Sequence, residues 1–356
     1  MVSNESEMNM DETMKSIDSF LKETIESKKI PGAVILVAKD KNVLFHKEYG
    51  YAQITPVQVP MKKDSIFDLA SLTKIIAAWP ATMLLLDQKL ITLQHRIPHF
   101  YDYHINATLQ DTNLLQLLTH TSGLSERTYL IQYGQDKETI LKGILADGLT
   151  YPPNEQVKYC NRGFVLLGDM IEKAAGMSLD AFLKKEIWKP LGMMDTTFNP
   201  DSSLIDRVVA TEYLPDRKMV KRGIVHDENA ELLGGIAGHA GTFSTAKDLG
   251  KMCSMILDAL KHDEKSIIPK DLIASSFFNY TRGLNEARGL AWQIYHECEE
   301  SIIVGHYGFT GTTIWMDIKQ NMYMILLTNR VHPSRDNSSI HSIRAFVREQ
   351  LFPSWK

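Results

Sequence analysis

Cysteine is scarce in this chain of 356 residues. The three that occur, Cys160, Cys253 and Cys298, lie far apart, and no Cys-x-x-Cys pair exists. Neither a zinc ribbon nor a disulfide framework is therefore indicated, and reduced thiols are the simplest expectation. Positive charge is not in excess: 39 Lys and Arg against 43 Asp and Glu give a net charge of −4. That balance leaves no basic footprint for nucleic acid. Long apolar runs are missing as well. The longest, roughly 75–86, contains Pro80 and Thr82 and is too short to cross a bilayer. Residues 1–15 are polar and acidic, without the basic start and apolar stretch of a secretory signal. A cytoplasmic location with no membrane partner is the resulting expectation. The sequence also has no Gly-x-Ser-x-Gly elbow, which counts against an α/β-hydrolase, no His-Glu-x-x-His and no phosphate-binding loop.

What remains is an ordinary globular composition, 44% hydrophobic and 23% charged, with room for one large domain or two lobes. Residues 11–28 carry a helical stripe of Met14, Ile17, Phe20, Leu21 and Ile25, closed by Pro31-Gly32. A strand over 33–38, a turn at Asp40-Lys41-Asn42 and a second strand over 43–51 follow. The spacing predicts a helix over 71–90, kinked or restarted at Pro80. Helical segments separated by loops fill most of 75–260, including a short helix at 114–118, amphipathic runs at 163–175 and 179–188, and a helix over 246–260. Thr245 caps the last, with Asp248 expected to complete a capping box. Strands return at 290–295, 301–304, 312–317 and 322–328, before a closing helix over 338–351. The order predicts an α+β fold. Strands from both chain ends would form one antiparallel sheet flanked by the terminal helices, with a large helical insertion packed against it.

Ser71-Leu72-Thr73-Lys74 is the chemical focus. On a helix, Ser71 and Lys74 at i and i+3 are neighbours on one face, so the amine reaches the hydroxyl. A serine is a weak nucleophile until a base takes its proton, and a lysine serves once burial lowers its pKa. Taken alone the tetrad also fits a capped surface helix. Tyr159-Cys160-Asn161 follows the loop Tyr151-Pro152-Pro153-Asn154 and precedes a helix. A tyrosine there could act as a base, and an asparagine could hold both the lysine and a substrate carbonyl; a core tyrosine beside a helix cap is the alternative. Gly305-His306-Tyr307-Gly308-Phe309-Thr310-Gly311 reads as a glycine-rich sheet edge that lets substrate lie alongside, or as a tight hairpin.

In this order the three elements resemble the serine β-lactamase and penicillin-recognising superfamily, in its class C-like branch of β-lactamases, D,D-carboxypeptidases, D-aminopeptidases and esterases. Phe67-Asp68-Leu69-Ala70, Leu117-Leu118-Thr119-His120-Thr121-Ser122-Gly123-Leu124, Pro190-Leu191-Gly192-Met193 and Gly234-Gly235-Ile236-Ala237-Gly238-His239-Ala240-Gly241 are similar to that branch too. The resemblance spans about 15–352. It implies a single β-lactamase/transpeptidase-like catalytic domain over 10–356, with an α/β lobe from about 10–65 and 265–356 and a helical lobe from about 70–260. It implies Ser71 as acylated nucleophile, Lys74 and Tyr159 sharing the proton transfers, and Asn161 orienting Lys74 and the acyl amide. It implies an oxyanion hole from the N–H groups of Ser71 and Phe309, and His306, Tyr307 and Gly308 lining the substrate. No cofactor or metal is implied.

Two departures matter. His306 stands where many relatives have lysine and is mostly neutral near pH 7. Tyr307 replaces a small hydroxyl residue, adding bulk. Both weaken a carboxylate anchor, count against an efficient β-lactamase and favour hydrolysis of a small ester or amide. A carboxypeptidase or D-aminopeptidase acting on a short peptide, a weak β-lactamase and a non-catalytic sensor remain as rivals. Of the twelve histidines, His120 is expected to shape a turn, while His239 lines the pocket or serves its loop. The run Val225-His226-Asp227-Glu228-Asn229 reads as a loop near the site or a metal-binding stretch, and Cys160 is expected to point into the core.

Overall fold

The computed structural model describes residues 2–127, 129–262 and 266–355. Seven strands form the principal sheet: β1 (Gly32–Lys39), β2 (Asn42–Gln53), β3 (Val59–Pro60), β4 (Gln293–Glu297), β5 (Ile302–Tyr307), β6 (Thr313–Asp317) and β7 (Met322–Thr328). Their spatial order is β3-β2-β1-β7-β6-β5-β4. The two chain ends meet where β1 pairs antiparallel with β7, from Ala33 opposite Thr328 to Lys39 opposite Met322. Asp40 and Lys41 link β1 to β2 with φ of 50° and 68°, the positive pair that a two-residue hairpin turn requires.

Period-two alternation sorts β1 between two cores. Ala33, Ile35 and Val37 meet Ile17 and Leu21 of α1 (Val2–Glu26) and Ile343 and Val347 of the closing helix, α5 (Ile340–Leu351). Phe20 of α1 stacks on Phe346 of α5 at 3.9 Å. Val34, Leu36 and Ala38 face the other way, into a core shared with the inserted segment. There α4 (Ala246–His262) lies over β1 and β7. Covered on both faces, the central strands read as continuous apolar runs rather than as alternation. The expected sheet with its terminal helices is observed, with one edge strand that was not expected, β3, paired to β2. The first helix begins at Val2, ahead of the expected residue 11, because its opening residues are polar and carry no stripe.

Three local expectations are corrected. The segment after Ser71 is not one regular helix. A 3₁₀ turn (Ala70–Leu72) leads to a π turn (Lys74–Ala78) and then to α2 (Trp79–Asp87). Pro80 has no N–H for the Ile76 carbonyl four residues back, and the Trp188 indole N–H supplies that bond at 3.3 Å. At Thr245 the hydroxyl does accept the Asp248 N–H, at 3.1 Å. The Asp248 carboxylate, however, takes the Asp195 N–H at 2.7 Å, so no reciprocal capping box forms. The strand expected at 290–295 starts at Gln293, because Gly289 N–H bonds Trp292 O and Ala291 has a φ of 70°, a tight turn just before it.

The inserted segment also contains strands that no periodicity announces. Phe67–Asp68 and Thr197–Phe198 pair with Thr242–Ser244 on either side, and Tyr213–Leu214 pairs with Met219–Val220. Two or three residues are too few to alternate. The first of these strands delivers the chain to Ser71.

Candidate active site

Ser71 follows a strained residue. Ala70 has a φ of 47°, a region costly for any residue with a side chain. Buried Asp68 holds it there. One carboxylate oxygen accepts the Ala70 N–H at 2.8 Å and the other the His226 N–H at 2.6 Å. On the opposite side, Asp68 O accepts the Thr310 hydroxyl at 2.8 Å and Leu69 O the Thr312 hydroxyl at 2.9 Å. The approach to Ser71 is thus stitched to the turn between β5 and β6. That contact explains Gly308: a Cβ there would lie 2.5 Å from Leu69 O.

Lys74 is fully buried beneath Ser71. Its Nζ lies 3.2 Å from Ser71 Oγ, 2.6 Å from Tyr159 Oη, 2.9 Å from Asn161 Oδ1 and 3.3 Å from His239 O. Burial pushes the amine down to about 7, opposed by the nearby Asp227 carboxylate. Asn161 Oδ1 and His239 O can only accept, so they take the two N–H bonds of a neutral amine. With the Tyr159 hydrogen directed at Ser71 Oγ, the amine's single lone pair is left for the Ser71 hydroxyl.

Tyr159 Oη donates to Ser71 Oγ at 2.7 Å. Burial raises the phenol above its ordinary value, against the pull of the Ser71 bond and the Arg288 charge. The hydroxyl therefore stays protonated at neutral pH, while the ring borders the open cleft. His120 fixes this residue from both sides: its carbonyl accepts the Lys158 N–H at 2.8 Å and its Nδ1 the Cys160 N–H at 3.1 Å. With a φ of 58°, His120 shapes the turn as expected and clamps Tyr159 as well. Cys160 is buried as expected, its thiol donating to Ser125 O at 3.2 Å. Asn161 opens helix α3 (Asn161–Ala175).

His306 projects to the same side, its ring 5.9 Å from that of Tyr159. Burial, with the Lys74 and Arg288 charges, holds its pKa well below the usual value. Nδ1 donates to Tyr307 O at 2.8 Å, so the neutral ring presents a lone pair at Nε2. Tyr307 alternates outward. Its ring leans on Tyr295 and Trp315, under Arg344 at 4.4 Å, so much of the bulk expected in the pocket goes into the outer core. Phe309 is half-exposed between Arg330, at 4.3 Å, and His226, at 5.6 Å.

These side chains border a cleft of about 560 Å³ lined by Ser71, Tyr159, His306, Phe309, Arg288 and Arg344. Beyond Phe309 a recess of about 250 Å³ adds Asn161, Asp227 and Glu228. The run 225–229 is engaged around this recess. His226 Nε2 meets Glu212 at 3.1 Å, and Asp227 meets the buried His239 ring at 3.0 Å. Burial would raise the Asp227 carboxyl, but His239 and the Ala230 N–H hold it below the ordinary range. His239 thus serves the site through its carbonyl on Lys74 and its ring on Asp227.

Sequence reasoning missed three residues. Asp68 carried one signal, a carboxylate inside an apolar run. Arg344 and Arg288 carried none. Arg288 is 4% exposed and meets Glu286 at 2.5 Å, while its Nε and Nη1 have no hydrogen-bond partner among the described residues.

A family model described as Beta-lactamase matches residues 17–348. An N-acetylmuramyl-L-alanine amidase of Bacillus subtilis (strain 168) is 27% identical over 90% of this chain and 81% of its own. A putative D-alanyl-D-alanine carboxypeptidase of Escherichia coli (strain K12) is 27% identical over 85% and 79%. Among solved structures, EstCE1, a hydrolase with promiscuous acyltransferase activity, aligns with a TM-score of 0.77 at 17% identity, over 96% of this chain and 98% of its own. The octameric penicillin-binding protein homologue of Pyrococcus abyssi aligns with a TM-score of 0.75 at 22% identity, over 95% and 79%. The two structures share the fold.

Proposed function

The chain belongs to the β-lactamase family of serine hydrolases, and on that premise we propose that Ser71 forms an acyl-enzyme with a small ester or amide. The supporting observation is the buried Lys74 amine, pushed down to about 7 and held between the Ser71 and Tyr159 hydroxyls. In its neutral form it takes the Ser71 proton while Oγ bonds to the substrate carbonyl carbon and the carbonyl π pair moves onto oxygen. The N–H groups of Ser71 and Phe309 receive that oxyanion; each such donor contributes about 2.7–4 kcal/mol. Collapse re-forms the carbonyl and expels the alcohol or amine, which takes a proton passed through Tyr159 from Lys74. Water then attacks the acyl ester and gives its proton to Lys74, and the carboxylic acid leaves as Ser71 regains its hydrogen. Asn161 orients Lys74, and His306, Tyr307, Gly308 and Phe309 line the substrate. One catalytic unit over 10–356, in the cytoplasm, completes the reading; all three cysteines are free.

A fluorophosphonate should add to Ser71 of the native chain, seen by mass spectrometry, and Ser71→Ala should abolish both the adduct and turnover of p-nitrophenyl esters. An unlabelled native chain would overturn the proposal.

Arg288 favours a second reading, a D,D-carboxypeptidase. A buried guanidinium at the cleft wall, two of whose donors have no hydrogen-bond partner among the described residues, suits a substrate carboxylate, which neutral His306 does not. Release of D-alanine from a D-Ala-D-Ala peptide separates it from an esterase, and turnover of D-amino-acid amides or nitrocefin would point to a D-aminopeptidase or weak β-lactamase. Ligand-induced thermal stabilisation without turnover of any of them would leave the sensor.

A further inference from the structure

The Phe309 N–H and the Gly308 carbonyl are two ends of one planar peptide unit. The carbonyl accepts the Gly311 N–H at 3.1 Å, closing a turn of four residues. That turn bond does not use the Phe309 N–H. A second donor reaches the same carbonyl from helix α5: Arg344 Nη2, also at 3.1 Å. Arg344 further holds Thr312 O at 2.9 Å and, through Nε, the Thr313 hydroxyl at 2.8 Å. Burial lowers the guanidinium to about 10, so it is still a cation at neutral pH.

A cation bonded to a peptide oxygen draws electron density from the nitrogen through the amide resonance, which makes the N–H at the other end a stronger donor. It also fixes the peptide plane before any substrate arrives, the condition under which an oxyanion donor is effective. Arg330 provides an internal contrast. Its Nε bonds Phe309 O at 2.8 Å, but that carbonyl belongs to the following peptide. Arg330 anchors the turn without polarising the Phe309 N–H.

We propose that Arg344 is a positioning residue for the oxyanion hole, orienting and polarising the Phe309 N–H through the Gly308 carbonyl. The inference rests on the acyl-enzyme reading above, in which that N–H receives the substrate oxygen.

The test compares the native chain with Arg344→Met, Arg344→Lys and Thr313→Val. Thr313→Val removes one Arg344 bond and leaves the Gly308 carbonyl untouched. Three readouts are taken: the rate of fluorophosphonate labelling at Ser71, kcat and KM for a p-nitrophenyl ester, and the preference for that ester over its thiono analogue, whose sulfur is a weak hydrogen-bond acceptor. Arg344→Met should label and turn over about tenfold more slowly, with KM changed less than about threefold and a reduced oxygen-over-sulfur preference. Arg344→Lys should recover part of the rate, and Thr313→Val should stay near native. Native labelling rates in Arg344→Met overturn the proposal and leave the acyl-enzyme reading intact. So do equal losses in Arg344→Met and Thr313→Val, or an unchanged oxygen-over-sulfur preference. Should Arg344→Met not fold, native rates in Arg344→Lys with a replacement unable to reach the carbonyl, Arg344→Gln, also at native rates, overturn it. If the native chain is not labelled at all, the acyl-enzyme reading fails and this inference falls with it.

Discussion

Lys74 Nζ lies 2.6 Å from Tyr159 Oη, and the two groups are pushed in opposite directions. Burial lowers the amine to about 7 and raises the phenol. Both shifts favour the neutral form, because a low-dielectric site penalises charge of either sign. The pair therefore holds an amine that accepts a proton beside a hydroxyl that donates one, and Ser71 Oγ touches both.

The pH dependence follows in sign from that pairing. Only the unprotonated amine can take the Ser71 proton, so kcat/KM should rise with pH, reach half its maximum near the Lys74 value of about 7 and then level. The raised phenol places any loss caused by Tyr159 ionisation well into the alkaline range. A profile measured on a neutral ester between pH 5 and 9 checks this. A flat or falling curve would remove Lys74 as the base.

Tyr159→Phe should fold normally, because the ring keeps its packing beside His120, 4.7 Å away. It loses the hydroxyl that links Lys74 to Ser71. General acid–base groups contribute about 10²–10⁴-fold, so kcat should fall by roughly 10²–10³ while KM changes little. Steady-state kinetics with unchanged thermal unfolding would bear this out, and kcat near native would assign the proton relay to Lys74 alone.

Six strands of the sheet were legible because they are long enough to carry a pattern, and β7 falls on the residues expected for it; the two-residue edge strand β3 was not, being too short to alternate. Ser71, Lys74, Tyr159 and Asn161 were legible because each lies in a short motif. Asp68 was not, because its partner His226 is 158 residues away and the Thr310 bond to its carbonyl spans 242. No local period records such a contact. The π turn at Lys74–Ala78 was hidden for a similar reason, since the indole that makes Pro80 tolerable comes from Trp188. Arg288 and Arg344 acquire meaning only through what they face in three dimensions.

Asp68 gives a prediction in which stability and activity fall together. Asp68→Ala leaves the buried Ala70 and His226 N–H groups without acceptors. At about 1–3 kcal/mol for each unsatisfied group, the cost should be about 2–6 kcal/mol. Ala70 also loses what holds its positive φ, so Ser71 should label far more slowly even in molecules that remain folded. Asp68→Asn keeps one acceptor oxygen and should lie between. Chemical denaturation with parallel fluorophosphonate labelling measures both; a stable, fully reactive Asp68→Ala would show that the two bonds are dispensable.

The carboxypeptidase reading predicts that Arg288 discriminates between substrates rather than setting the basal rate. Its buried guanidinium borders the cleft with Nε and Nη1 unpartnered among the described residues, and Glu286 neutralises it from one side. Hydrogen bonds to charged groups contribute about 1.5–3 kcal/mol, so Arg288→Gln should lower kcat/KM for a substrate bearing a carboxylate by about tenfold to a hundredfold. A neutral ester has no charge to lose and should be affected far less. Glu286→Gln should act in the opposite sense, because it removes a carboxylate that competes with the substrate for Arg288. Kinetics with one matched pair of substrates, an ester with a free carboxylate and its methyl ester, decide the matter. Equal losses on both substrates in Arg288→Gln would mean that Arg288 supports the cleft wall, and a Glu286→Gln that weakens use of the carboxylate substrate would rule out competition at Arg288.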